Sequence, residues 1–358
     1  MNLKSLVHRL SSIVHCSLSI VLREKGVALI MVLWVMAILS IVALEFSFAM
    51  RTEINVTKNH KEDLQRYAMA QGGVQRAITE LIYKHDARLQ QIKKTLSLEE
   101  IPPEQKGWMA DGRSYVLPFE QGSCEIRIMS EAGKVNINMV SESLLRKIIG
   151  QLGLEGEAKD VVVDSILDWR DPNDLYRING AENDYYLSLK DPYYCKNGNL
   201  DSIEELLLIR GVTPELYYGK KETPKGEEEA GYRVGLKDIF SIYAPGEQVD
   251  INSATPLVMN TVLGIPSEVS QQMVKAREEK AFENQQDLLN RVPELAPFIG
   301  EVGRLIVYRS TLPYYTIESR AKLKDALSVQ GLKAIVRIDP REKEGYKTVQ
   351  WVDRLIDR

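Results

Sequence analysis

Residues 27–44 read VALIMVLWVMAILSIVAL, eighteen positions without a charge, directly behind Arg23-Glu24-Lys25-Gly26. At a rise of about 1.5 Å per residue such a run makes a helix of roughly 27 Å, which crosses most of a bilayer's hydrocarbon core. The rest of the 358-residue chain is polar by comparison, so one anchor precedes a body of ordinary composition. A secretory signal has a shorter apolar core that ends in small residues at its cleavage site. This run ends instead in Leu44-Glu45-Phe46-Ser47-Phe48. Residues 1–26 carry Lys4, Arg9, Arg23 and Lys25 against Glu24. That excess of positive charge favours a cytoplasmic N-terminus and puts the body on the far side of the membrane.

Beyond the anchor about 300 residues remain, long enough for one large or two moderate domains. The formal net charge of −4 gives no reason to expect nucleic acid as a partner. Histidine occurs four times, at His8, His15, His60 and His85. The body beyond His85 therefore has no His-based triad and no His-ligated metal. P-loop, Gly-x-Ser-x-Gly and Gly-x-Gly-x-x-Gly motifs are missing as well, which weighs against an enzyme. Cys16 precedes the anchor, while Cys124 and Cys195 fall in segments assigned to different subdomains, which argues against a bridge between them.

Residues 51–84 contain no proline, and Leu64, Tyr67, Ala68, Val74, Ala77, Ile78, Leu81 and Ile82 recur at amphipathic-helix spacing. The anchor and this stretch read as one helix of about 55 residues, weakened and bent at Gly72-Gly73. Pro102-Pro103 and Gly107 close the helical region. Strand-like segments follow at 114–119 and 124–129, and again at 314–318, 334–338 and 348–352. The nearly 180 residues between the two groups read mostly helical. The expected fold is α+β: a long N-terminal helix and an antiparallel sheet, interrupted by an all-helical insertion. The boundaries read as 1–26 leader, 27–50 membrane part of the helix, 51–132 first part of the α/β domain, 133–312 insertion and 313–358 closing strands.

The insertion carries a repeat. Val135-Asn136-Ile137-Asn138 matches Val249-Asp250-Ile251-Asn252, and the same offset pairs Ser141 with Thr255, Ile148 with Val262, Ile149 with Leu263 and Gly150 with Gly264. Each copy reads as an Asn turn, a Ser or Thr N-cap, a short apolar helix and a terminating Gly. Further helices are expected at 158–169 and 268–279. The repeat resembles helix-hairpin-helix modules, which often hold DNA phosphates. Residues 249–312 carry more acidic than basic side chains, and Pro266 follows the single hairpin glycine, Gly264. A structural or protein-binding use is therefore expected, and no nucleic acid.

Residues 168–192 pack Asp168, Asp171, Asn173, Asp174, Glu182 and Asp184 into a turn-rich loop with Gly180 and two prolines. Hard oxygen donors in such a loop suit Ca²⁺, with Asp171, Asp174, Glu182 and Asp184 foremost. The plain alternative is a solvated loop closed by Asx-turns. Trp169, Tyr176, Tyr185 and Tyr186 are expected to dock the loop on the body, where unneutralised carboxylates would repel one another.

Together these segments resemble a known family. Lys25-Gly26-Val27-Ala28-Leu29-Ile30 is similar to a prepilin peptidase site, with the cut between Gly26 and Val27. Asp168-Trp169-Arg170-Asp171, Gly180-Ala181-Glu182-Asn183-Asp184-Tyr185-Tyr186, Ser202-Ile203-Glu204-Glu205-Leu206, Ile209-Arg210-Gly211-Val212-Thr213-Pro214-Glu215 and Val249-Asp250-Ile251-Asn252 resemble the minor pseudopilins of type II secretion called general secretion pathway protein K. Pilin-like subunits usually have Glu as the fifth mature residue, where Met31 stands here. A subunit without that acid suits the filament tip, because it offers no carboxylate to the buried amine of a subunit ahead. The resemblance implies a periplasmic body on a single inner-membrane span, with a methylated mature N-terminus and bound calcium. It implies partners too: minor pseudopilins I, J and H, the prepilin peptidase, an inner-membrane assembly platform, the secretin and secreted substrate. A type IV pilus minor pilin and a membrane-tethered DNA-binding protein are the competing readings.

Overall fold

The structure is a computed structural model that describes residues 3–85, 107–219, 234–310, 312–324, 326 and 328–353, with side chains from residue 28 onward. Gly26 and Val27 therefore contribute backbone only, and the expected break at Pro102-Pro103 lies outside the described residues. The chain divides into two units, residues 1–65 and 66–358.

In the first unit the backbone is helical from Leu3, as part of α1 (Leu3–His85). It supplies the one described helix long and apolar enough to cross a membrane. Leu29, Met31, Trp34, Ile38, Leu39 and Phe46 are all exposed, and so are Ile54 and Val56 beyond the uncharged run. Ser40 and Thr52 return their hydroxyls to the carbonyls of Met36 and Phe48, so neither interrupts the helix.

In the second unit the last turns of α1 lie on a five-stranded sheet. Its strands are β1 (Asp111–Phe119), β2 (Gly122–Ser130), β7 (Tyr314–Leu323), β8 (Val329–Ile338) and β9 (Tyr346–Val352). The order is β1-β2-β7-β8-β9, and every neighbouring pair is antiparallel. Ala70, Val74, Ala77, Ile78 and Leu81 form the buried stripe of α1, packed with Ile126, Ile128, Ile317, Leu332 and Val336. Both glycines of the Gly72-Gly73 pair stay within the helix, and Gly73 has a packing role. A Cβ there would strike Ser319 Oγ and stand 2.7 Å from Cys124 Sγ. The thiol of Cys124 pairs with the Ser319 hydroxyl at 2.9 Å, and that hydroxyl donates to Ala70 O at 2.7 Å. Cys124 and Cys195 are both free and buried.

The helical insertion leaves the sheet after β2 and returns at β7, where Ser130 and Tyr315 face each other in register. Its two ends are thus neighbours, and a long insertion between adjacent antiparallel strands leaves the sheet closed. It has its own apolar core, from Val135 to Ile306, distinct from the core under the sheet.

Within it the repeat is visible bond for bond. β3 (Val135–Asn136) pairs in parallel with β4 (Phe240–Ser241), as β5 (Val249–Asp250) does with β6 (Ile306–Val307). Ser141 caps α2 (Glu142–Gln151) by accepting from Leu144 N, as Thr255 accepts from Val258 N. Asn138 holds Leu200 through both backbone groups, and Asn252 receives Phe282 N while donating to Phe282 O and Tyr308 O. The second helices of the copies are α3 (Gly156–Arg170) and, later, α5 (Ser267–Glu279), with α4 (Asn183–Leu187) between them.

Candidate metal centre

The acidic segment begins on α3. Asp164 and Asp168 lie four residues apart on one helical face, and both turn toward the loop that follows. Asp168 accepts from Arg177 N at 3.1 Å, and Asp164 accepts from Asn179 N at 3.3 Å while pairing with Arg146 at 2.7 Å. A Cβ on Gly180 would collide with Asp168, so glycine is what lets the loop lie against that carboxylate. Between them, Trp169 is buried edge-on to Tyr186, and Arg170 donates to the carbonyls of Ile137 and Val140 at 2.7 and 2.6 Å. The motif Asp168-Trp169-Arg170-Asp171 therefore ties helix, core and repeat turn together.

Asp171 stands just past the end of α3 and accepts from the backbone N–H and side-chain amide of Asn173, an Asx-turn. Asn173 in turn accepts from Leu175 N. Asp174 accepts from Asn183 Nδ2 at 2.9 Å, and Asn183 Oδ1 accepts from Cys195 N at 2.9 Å. Asn183 thereby joins the acidic loop to the Cys195 segment, a role that sequence spacing did not reveal because the partner is a backbone amide twelve residues on.

Glu182 differs from the others. It is 1% exposed, and neither carboxylate oxygen has a hydrogen-bond partner. The Cys195 thiol is beside it. Burial, with the negative charges of Asp168, Asp171 and Asp174, pushes the Glu182 carboxyl up to about 7. Burial likewise raises Asp168 to about 6, with Asp171 adding to the shift against the Arg177 contacts. Burial and the Glu182 carboxylate lift the Cys195 thiol to about 12, so it stays protonated.

The charges of Asp168, Asp171 and Asp174 thus act on Glu182, while Asp184 accepts from the adjacent Tyr185 N. Asn173 is spent on its neighbours. Among the described residues, no three acidic, His or Cys side chains stand together as a ready metal cage. Trp169 and Tyr186 are buried as expected, but Tyr176 is exposed, as are Leu175 at 79% and Ile178 at 97%. The loop is docked by Asp164, Asp168 and Arg210, which donates to Gly180 O at 2.9 Å, and Tyr176 takes no part. Arg210 also lies over the Tyr185 ring.

The hairpin of the second repeat copy offers little to an anion. Gly264 is left-handed with φ 74°, but its N–H is bonded to Asn260 O and that of Ile265 to Met259 O. The Lys147 side chain of α2 lies against Gly264.

Comparison with known proteins agrees with this architecture. Residues 128–219 match the family model described as "Type II secretion system (T2SS), protein K", and residues 245–298 match that of the helix-hairpin-helix motif. Type II secretion system protein K of Pseudomonas aeruginosa is 24% identical over 316 residues, covering 86% of this chain and 87% of that protein. Its Aeromonas hydrophila counterpart is 24% identical over 216 residues, covering 54% of this chain and 61% of that protein. Among solved structures, the GspK–GspI–GspJ complex of enterotoxigenic Escherichia coli superposes with a TM-score of 0.54 at 16% identity. The match spans 83% of this chain and 98% of that one, a likeness of fold.

Proposed function

We propose that this chain, a member of the type II secretion system protein K family, is the minor pseudopilin at the tip of a pseudopilus that drives protein export across the outer membrane. The carrying observation is the character of α1: an exposed apolar face from residue 29 onward, with Met31 as the fifth residue after Gly26. Such a face needs other helices or lipid around it. The solved relative is a complex with GspI and GspJ, which supports minor pseudopilins I and J as the helices that cover this one. Without a carboxylate at position 31 the helix has nothing to offer the amine of a further subunit, so the chain caps the filament and starts its assembly. The helical insertion, inserted between two paired strands, adds bulk to the body.

In this reading the prepilin peptidase cuts between Gly26 and Val27, the inner-membrane assembly platform extrudes the filament, and the body works in the periplasm. H, the secretin and the secreted substrate are the remaining partners. Calcium is the cation proposed for the Glu182 loop. The orphaned, buried Glu182 carboxylate among Asp168, Asp171 and Asp174 supports it, as does an oxygen donor set. A bound cation would supply positive charge that relieves their repulsion. Their own residues do the rest: Asp164 and Asp168 fasten the loop, and Asn183 fixes its far side.

Co-expression with I and J tests the reading. A detergent-extracted complex of the three chains is expected, with Val27 as the mature N-terminus by mass spectrometry. Extraction of this chain alone, with residues 1–26 retained, refutes it. A gel shift with duplex DNA is expected to show no salt-sensitive binding at sub-micromolar protein, because the hairpin amides are already bonded.

A further inference from the structure

The two apolar cores do not merge, and charged side chains stand at the seam between them. On one side Arg277 of α5, 1% exposed, donates through Nη1 to Ile251 O and Ala254 O at 2.8 and 2.7 Å. These carbonyls are the repeat equivalents of the two that Arg170 holds in the first copy. Arg277 differs from Arg170 in having a second task, since its Nη2 reaches Asp111 Oδ2 of β1 at 3.5 Å. Asp111 is itself gripped by Arg113 through contacts of 2.6 to 3.1 Å, and Arg113 stands 3.5 Å from Glu278.

The second copy also replaces Asn136 of the first by Asp250. Both keep the turn bond, to Asn138 N and Asn252 N respectively. Asp250 adds a charge, accepts from Ser310 N at 3.2 Å just before the chain re-enters the sheet, and lies in the field of Lys84 at the end of α1. Gly112 brings β1 close enough that a Cβ would be 3.2 Å from Thr255. Next to the same turn, where a Cβ on Gly133 would meet the Ser253 backbone, Glu131 holds Lys134 and Thr316 and stays buried.

We infer that the Asp111–Arg277 contact is a releasable clamp between the helical insertion and the sheet. Breaking it leaves neither group without a polar partner. Asp111 keeps the Arg113 fork and Arg277 keeps the two carbonyls of its own copy, so opening gives up one 3.5 Å contact rather than every partner of either group. A polar seam between separate cores is where relative motion is expected first. This inference does not depend on the secretion reading.

Hydrogen exchange on the full chain in detergent tests it. In the unaltered protein, amides of 110–113 and 308–312 are expected to exchange about tenfold or more faster than those at the centres of β7 and β8. Asp111→Asn widens that ratio and leaves the β7 and β8 amides unchanged. Asp250→Asn, which keeps the turn acceptor and copies the residue of the first repeat, gives the same direction should Asp111→Asn fold poorly. Seam amides as slow as the strand centres, or a variant that speeds both cores alike, overturns the clamp.

Discussion

At residue scale, two buried carboxylates with opposite surroundings give the sharpest expectations. Burial alone would raise the Glu131 carboxyl, but Lys134, Ser241 and Thr316 outweigh it and hold the group below its ordinary 4.5. A carboxyl depressed in the folded state contributes stability that is present above the unfolded pKa and fades as pH falls through the folded one. Glu131→Gln is therefore expected to lower stability at pH 7 by about 1–3 kcal/mol. The deficit should shrink below about pH 4.5, read as melting temperature against pH. Glu182 has no such partners. Calcium at a hundred times its dissociation constant should stabilise the protein by about 2.7 kcal/mol, a gain that a chelator removes. Glu182→Gln should melt at the same temperature with and without calcium. Spacing alone identified the acidic loop and put Glu182 level with Asp171, Asp174 and Asp184. Asp164, Asp168 and Asp171 find backbone and amide partners that only the folded loop supplies, whereas Glu182 is set apart by lacking one.

At the scale of elements, periodicity read well where one face is buried. The α1 stripe from Val74 to Leu81 was legible as amphipathic spacing, and the five sheet strands by their β-branched and aromatic residues. The packing role of Gly73 was not legible at the Gly72-Gly73 pair, because a sequence does not show that Ser319 and Cys124 press on one face of the helix. Gly73→Val should cost about 1–3 kcal/mol by overpacking that contact, while Gly72→Ala, facing Phe119 at 3.6 Å, should be nearly neutral. Chemical denaturation of the two variants checks the contrast. The repeat was recoverable from four-residue matches because its Asn and Ser or Thr positions each make a backbone bond. The equivalence of Arg170 and Arg277 was not legible, since they fall at different offsets in the two copies while serving equivalent carbonyls.

At the scale of the whole molecule, one chain carries an exposed apolar helix face, an antiparallel sheet and an inserted helical body whose two ends meet at Ser130 and Tyr315. The sheet continues across the insertion because β2 and β7 pair along their whole length. Met31→Glu should restore an acid that a further subunit's amine can meet, and filaments carrying this variant should include the chain at internal positions. The most direct measurement is the place of the unaltered chain on isolated pseudopili, found by gold-labelling its helical insertion. One label at a single end of each filament is predicted. Labels spaced along the shaft would contradict the tip assignment.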